Sequence, residues 1–157
     1  ILIIFNLRLC MKVTKQIKSK HRVTEFGEVN TSLETIESII DLVGSEAIRY
    51  DSKFLDPACG DGNFLSALLD RKLASFEKQH YKNGHLCEEK LMITLSSIYG
   101  IDRLKDNIME ARVRILERFS DAYAKLVDSE VKDRTKRSAE YIVSKNIIFG
   151  DALTLED

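Results

Sequence analysis

The chain has no tryptophan and a single proline, Pro57, in 157 residues. One proline excludes proline-rich linkers and polyproline recognition segments, and with them any motif that needs two consecutive prolines. Cysteine is scarce and odd in number, at Cys10, Cys59 and Cys87, with no C-x-x-C pair. Neither a disulfide framework nor a zinc site is expected, and a reducing cytoplasm is the default compartment. His80 and His85 stand near Cys87 in a polar connection, without a second cysteine at ligand spacing, and no metal is assigned to them. Charge of one sign is missing too: the net is −1 at pH 7. The chain as a whole therefore lacks the basic footprint of a nucleic-acid binder, so any grip on DNA must be local or lie on further chain. Long hydrophobic runs are absent as well. The apolar-rich stretch Ile1 to Cys10 is too short to span a bilayer and has no basic segment or small-residue cleavage site of a signal peptide. It reads as an added strand or helix, or as upstream or expression-derived sequence ahead of a natural start at Met11.

What is present suffices for one domain with a core, since 44% of the residues are hydrophobic and 31% charged. Its most informative stretch is Asp56-Pro57-Ala58-Cys59-Gly60-Asp61-Gly62-Asn63-Phe64. Lys53-Phe54-Leu55 is a short apolar run that can end a buried parallel strand. Pro57 stops it, and Gly60 and Gly62 permit a tight strand-to-helix turn. Phe64, Leu65, Leu68, Leu69 and Leu73 recur at helical spacing and give the next helix one apolar face. Such turns bind nucleotides. The dinucleotide fingerprint G-x-G-x-x-G fails here because its third glycine falls on Leu65. Asp56 and Asp61 also put carboxylates where a pyrophosphate needs N–H groups and positive charge. Cys59, inside the turn, is read as packing rather than as a nucleophile.

Around this turn the chain reads as alternating strands and helices. Residues 1–22 form an apolar then basic arm, with Lys12, Lys15, Lys18, Lys20 and Arg22, and residues 23–157 form the domain. The arm is a solvated face or, alternatively, a contact to DNA phosphates. Glu25 to Ser32 is a loop, and Thr31 or Ser32 caps a helix that carries Leu33, Ile36, Ile39, Ile40 and Val43 and ends near Gly44. The helix after the glycine turn runs to about Gln79, and a short one spans Glu88 to Thr94. Ser97 to Ile101 is a β-rich run stopped by Asp102. Lys105 to about Leu126 is a long amphipathic helix with Ile108, Ala111, Ile115, Phe119, Ala122 and Leu126 on one face and Glu110 paired with Arg114 outside. Asp128 to Ser138 lacks apolar periodicity and reads as an exposed turn, with one further helical turn at Ala139 to Ser144. Asn146 to Phe149 is a third strand, ended by Gly150-Asp151. This βαβαβ order, with an acidic residue at each strand tip, predicts an α/β, doubly wound parallel sheet whose ligand crevice lies at the strands' carboxyl ends.

Four stretches, in this order, resemble the motifs of the N6-adenine DNA methyltransferases of type I and type IIG restriction-modification systems. Glu25 to Ser32 is similar to their G-E-V-F-T-P motif, and Asp56 to Phe64 to their D-P-A-C-G-x-G-x-F loop. Tyr99-Gly100-Ile101-Asp102 resembles the second-strand motif and Phe149 to Leu153 the third. Asn30 stands where an aromatic is common and Ser32 where proline is usual. The resemblance covers nearly everything after Lys20 and implies a Rossmann-like class I fold that binds S-adenosylmethionine. It implies that Thr31 bonds the methionine carboxylate and that the loop Asp56, Pro57, Ala58, Cys59, Gly60 and Gly62 holds the amino-acid end, with Phe64 packed beside the ligand. Asp102 would accept from both ribose hydroxyls, Asp151 from the adenine amino group, and the Ala152 N–H would donate to a ring nitrogen. Ionised carboxylates are acceptors only, and those ligand groups are donors.

The family's catalytic [N/D/S]-P-P-[Y/F/W] motif follows the next strand, where it polarises the amino group of a flipped adenine and stacks on the base. With Pro57 the only proline, that motif is not in these 157 residues. The expectation is thus the first half of the sheet: a cofactor-binding part of a cytoplasmic methyltransferase that alone transfers no methyl group and has no catalytic residue of its own. Double-stranded DNA and a restriction or specificity subunit would be partners of the complete protein, without any membrane. The incomplete sheet leaves an edge open to a second copy of the chain. Two other readings stand beside it: an inactive methyltransferase-like module that senses cofactor or scaffolds a complex, and a dinucleotide-dependent oxidoreductase.

Overall fold

The structure is a computed structural model that describes Thr24 and residues 31–80, 84–127 and 131–154. A compact unit runs from Thr31 to Asp157. The arm 1–22 and the motif residues 25–30 lie outside the described residues.

Helix α1, Leu33–Leu42, begins at Ser32, whose hydroxyl accepts the Thr35 N–H at 3.3 Å; of the two expected caps, Ser32 is the one used. Ile36 and Ile40 are its buried positions. The chain leaves α1 through Gly44, which sits at φ +56°, and then makes a 3₁₀ segment, Gly44–Ile48. Strand β1 is Phe54–Asp56, followed by α2, Asn63–His80. Helix α3, Gly84–Ser96, starts earlier than the short helix expected from Glu88, and takes Cys87 and Leu91 into the core. Strand β2, Ile98–Asp102, leads to α4, Lys105–Val127. The buried stripe of α4 is Ile108, Ala111, Ile115, Phe119 and Tyr123. It passes through Tyr123 where the spacing predicted Ala122 and Leu126, which are half-buried. The exposed turn expected at Asp128 to Ser138 is corrected from Asp133 onward. Helix α5 runs Asp133–Asn146, with Thr135, Ala139 and Val143 buried at every fourth residue. Strand β3 is Ile147–Phe149.

The three strands are parallel in the order β1-β2-β3. Phe54 pairs with Ile98 and Gly100 with Ile147, so these share one face of the pleat; Ile98, Gly100 and Ile147 are buried there under the helices. Gly100 has no room for a side chain: a Cβ would stand 2.7 Å from Leu65 Cδ1 and 2.9 Å from Cys59 Sγ. On the opposite face Leu55 pairs with Tyr99 and Ile101 with Ile148, and Leu55 and Ile148 are exposed. The architecture is therefore mixed α/β on a small parallel sheet. The second helical layer that a doubly wound sheet requires is not among the described residues, and no helix among them is long and apolar enough to cross a membrane.

Lys72, on the buried face of α2, is fully enclosed. Its ammonium donates to the Arg49 carbonyl at 3.0 Å, to Ser97 Oγ at 3.1 Å and to the Ser52 carbonyl, and lies 4.9 Å from the centre of the Phe54 ring. One cation thereby fastens the segment entering β1 to the residue that precedes β2. Burial lowers its pKa from 10.5 to about 8, against the favourable charges of Asp51 and Glu46.

Candidate functional site

The tips of the three strands converge because the loop after β1 folds over β2. The Cys59 N–H donates to the Ile101 carbonyl at 2.9 Å, and the Gly60 N–H to Asp102 Oδ2 at 2.9 Å. At the other side of β2 the Gly150 N–H donates to the Asp102 carbonyl at 3.1 Å. Gly60 and Gly62 take left-handed conformations, φ +53° and +82°. Gly62 also seats the loop on α4, since a Cβ there would stand 2.9 Å from Ala111 Cα and Cβ. The glycine turn expected between β1 and α2 is thus present, and both glycines serve it.

Each tip carboxylate closes the same local turn. Asp56 Oδ1 accepts from Ala58 N–H at 3.1 Å, Asp102 Oδ1 from Leu104 N–H at 2.9 Å, and Asp151 Oδ1 from Leu153 N–H at 2.9 Å. The second oxygens differ. Asp102 Oδ2 holds Gly60, and Asp151 Oδ2 is 3.3 Å from Arg103 Nε. Asp56 Oδ2 accepts no hydrogen bond among the described residues. Burial pushes the Asp56 carboxyl above the ordinary carboxylate range, the Ala58 N–H opposes this, and the negative Asp102 adds to it. A desolvated carboxylate beside another carboxylate is a place where a cation is favoured.

Four of the loop's backbone donors are consumed inside the protein. Ala58 N–H goes to Asp56, Cys59 N–H to Ile101, Gly60 N–H to Asp102 and Gly62 N–H to the Cys59 carbonyl at 2.9 Å. Asp56 is the loop carboxylate with acceptor capacity to spare among the described residues. Asp61, which was expected to add to this acidity, does not. It is buried, and its Oδ2 is 3.1 Å from Arg114 Nη2, while Arg114 Nη1 donates to Asn63 Oδ1. Arg114, expected beside Glu110 on the outer face of α4, is thus a ligand of the loop. Spacing within one helix cannot show that, because its partner lies 53 residues away.

Of the other predicted residues, Pro57 and Ala58 are exposed and Phe64 is half-buried against the core. Cys59 is buried with its thiol pushed up to about 12, mainly by burial and then by Asp102 and Asp56, which suits packing rather than a thiolate nucleophile. Asp151 and Ala152 are half-buried at the β3 tip. Thr31 stands exposed ahead of the α1 cap, and no hydrogen bond joins it to the loop among the described residues. Asn107 was not singled out in the sequence. It is buried in the first turn of α4 and donates from Nδ2 to Asp102 Oδ1 at 3.3 Å. Two cavities, of about 360 and 440 Å³, lie elsewhere: one beside Glu88 and Thr135, the other beside Glu46 and Arg49. No protein-family profile, curated protein or solved structure matches the chain.

Proposed function

We propose that the chain is the S-adenosylmethionine-binding part of an adenine-N6 DNA methyltransferase of a restriction-modification system. Its sheet is then the first half of a doubly wound, Rossmann-like class I methyltransferase fold. The observation that carries this reading is the disposition of donors in the glycine turn. A pyrophosphate needs free N–H groups, and those of Ala58, Cys59, Gly60 and Gly62 are already bonded within the protein. A ligand with an ammonium and a sulfonium meets instead the Asp56 carboxylate.

In this reading the Asp56 turn takes the amino-acid end, Thr31 its carboxylate, Asp102 the sugar, and Asp151 with the Ala152 N–H the adenine. The bound ligand supplies an electrophilic methyl group; the residues here bind and orient it. Because Pro57 is the only proline, the residues that polarise a flipped adenine are not in this chain, and alone it transfers no methyl group. DNA, a restriction or specificity subunit and a cytoplasmic setting belong to the complete enzyme in the same proposal.

Calorimetric titration of S-adenosylmethionine, with NAD and Asp102→Ala as controls, tests it. Saturable binding that is lost in the variant is the expected result. Binding of NAD in its place, or no binding by folded protein, overturns the assignment. Downstream sequence separates the enzyme's front part from an inactive scaffold, since only the former is followed by an N-P-P-Y-like tetrapeptide.

A further inference from the structure

The inference concerns how the sugar is read, and it rests on the cofactor reading above. An ionised carboxylate offers about four acceptor positions, two per oxygen. At Asp102 three are filled from within the protein: Oδ1 takes the Leu104 N–H at 2.9 Å and Asn107 Nδ2 at 3.3 Å, and Oδ2 takes the Gly60 N–H at 2.9 Å. A vicinal diol held by both hydroxyls needs two vacant positions. We infer that Asp102 accepts only one sugar hydroxyl, at Oδ2, and that Asn107 is the specificity-determining residue that closes the second position on Oδ1.

The neighbourhood makes this arrangement hard to relax. Leu104 N–H belongs to the turn that ends β2, and releasing it exposes an unpaired donor at the start of α4. Gly60 N–H anchors the glycine turn to β2, so a ligand that displaced it would loosen the turn on which its own amino-acid end rests. Asn107 is 1% exposed, so solvent does not compete for its place beside Asp102. It is the one donor of the three that a side-chain substitution removes without altering the backbone.

The test compares S-adenosylmethionine with its 2′-deoxy and 3′-deoxy analogues by calorimetry, on the wild-type chain and on Asn107→Leu. For the wild type, removing one of the hydroxyls is expected to weaken binding roughly tenfold or more, as befits a hydrogen bond to a charged acceptor, and removing the other by less than about threefold. In Asn107→Leu the vacated position on Oδ1 lets both hydroxyls count, so both deoxy analogues lose about tenfold. A merely structural role for Asn107 would lower all three affinities together and leave their ratios unchanged, which overturns the role given to it. Comparable losses from both hydroxyls in the wild type, or no loss from either, overturn the single-hydroxyl reading while the cofactor assignment stands. If folded wild-type protein binds none of the three compounds, the cofactor assignment itself falls and this inference with it. The wild-type comparison decides the single-hydroxyl reading even if Asn107→Leu does not fold.

Discussion

Replacing each of the two loop glycines by alanine separates backbone strain from packing at the turn. Both residues are left-handed, at φ +53° for Gly60 and +82° for Gly62, and a Cβ in that region costs about 1 kcal/mol. A Cβ on Gly60 would meet nothing within 4 Å, so Gly60→Ala is expected to lose about 1 kcal/mol and no more. A Cβ on Gly62 would stand 2.9 Å from Ala111 Cα and Cβ. Ala111 is fully buried in the middle of α4, and a packed helix backbone cannot withdraw as the tip of a flexible side chain can. Overpacking adds about 2 kcal/mol, for a total of about 3 kcal/mol in Gly62→Ala. In urea unfolding the two variants should differ in midpoint by about 1 M with unchanged slope. Ala111→Gly in the Gly62→Ala background removes one of the two close atoms and is expected to return part of the loss. Equal destabilisation by the two alanines, or a larger loss at Gly60, would refute the close approach of the loop to α4.

Lys72→Met removes the buried ammonium from the Arg49 and Ser52 carbonyls and is expected to lose about 2 kcal/mol at pH 7. The folded pKa of Lys72 is about 8 against an ordinary 10.5, so between these values the unfolded chain binds more protons and the wild type gains stability as pH rises. The gap between wild type and variant should therefore widen by about 2–3 kcal/mol from pH 7 to pH 10.5, measured by urea unfolding; a constant or narrowing gap contradicts the burial argument. Arg114→Met leaves the Asp61 carboxylate, whose side chain is 4% exposed, without its counter-charge and should cost about 3 kcal/mol, part of which Asp61→Asn in the same background recovers. No recovery would mean that Arg114 acts through packing alone. Asp56→Asn keeps an oxygen for the Ala58 N–H while removing the charge, so stability should change by less than about 1 kcal/mol whereas affinity for S-adenosylmethionine falls about tenfold. An unchanged affinity in calorimetry would take Asp56 out of the site.

The sheet was legible because its signals are local. Phe54-Leu55, Ile98 to Ile101 and Ile147 to Phe149 are short apolar runs that close on Asp56, Asp102 and, after Gly150, Asp151. The start of α5 was missed for a physical reason. Its first buried position is Thr135, a polar residue made compatible with the interior by donating its hydroxyl to Glu88 Oε1 at 2.5 Å. A pattern that counts only apolar residues sees nothing between Val131 and Ala139. Lys72 illustrates the same blindness from the other side. It lies at helical spacing from Leu65, Leu68 and Leu69, squarely on the buried face of α2, and only the three acceptors waiting there explain why a lysine fills the place. Asp61 and Arg114 could not be paired from sequence at all, because their contact depends on how α4 crosses the loop.

The acidic strand tips, which drew attention as a set, have two causes that act on different oxygens. Oδ1 of Asp56, Asp102 and Asp151 accepts the N–H two residues on in each case, a turn-closing role that would favour aspartate at the end of a parallel strand in a protein with no ligand. That role accounts for the recurrence of the residue and carries no functional information. The functional argument rests on the Oδ2 atoms. Asp151 Oδ2 faces Arg103, whose side chain is 70% exposed, so solvent can take over that contact at small cost and release the oxygen to an amino group. Asp102 Oδ2 is half used by Gly60, and Asp56 Oδ2 is used by nothing among the described residues. The acceptor capacity left over at the tips is therefore uneven, fullest at Asp56 and least at Asp102, with Asp151 between them. A ligand matched to that pattern carries its most donor-rich, positively charged group over β1, a single hydroxyl over β2 and an amino donor over β3. This is the order in which S-adenosylmethionine presents its ammonium, its sugar and its base.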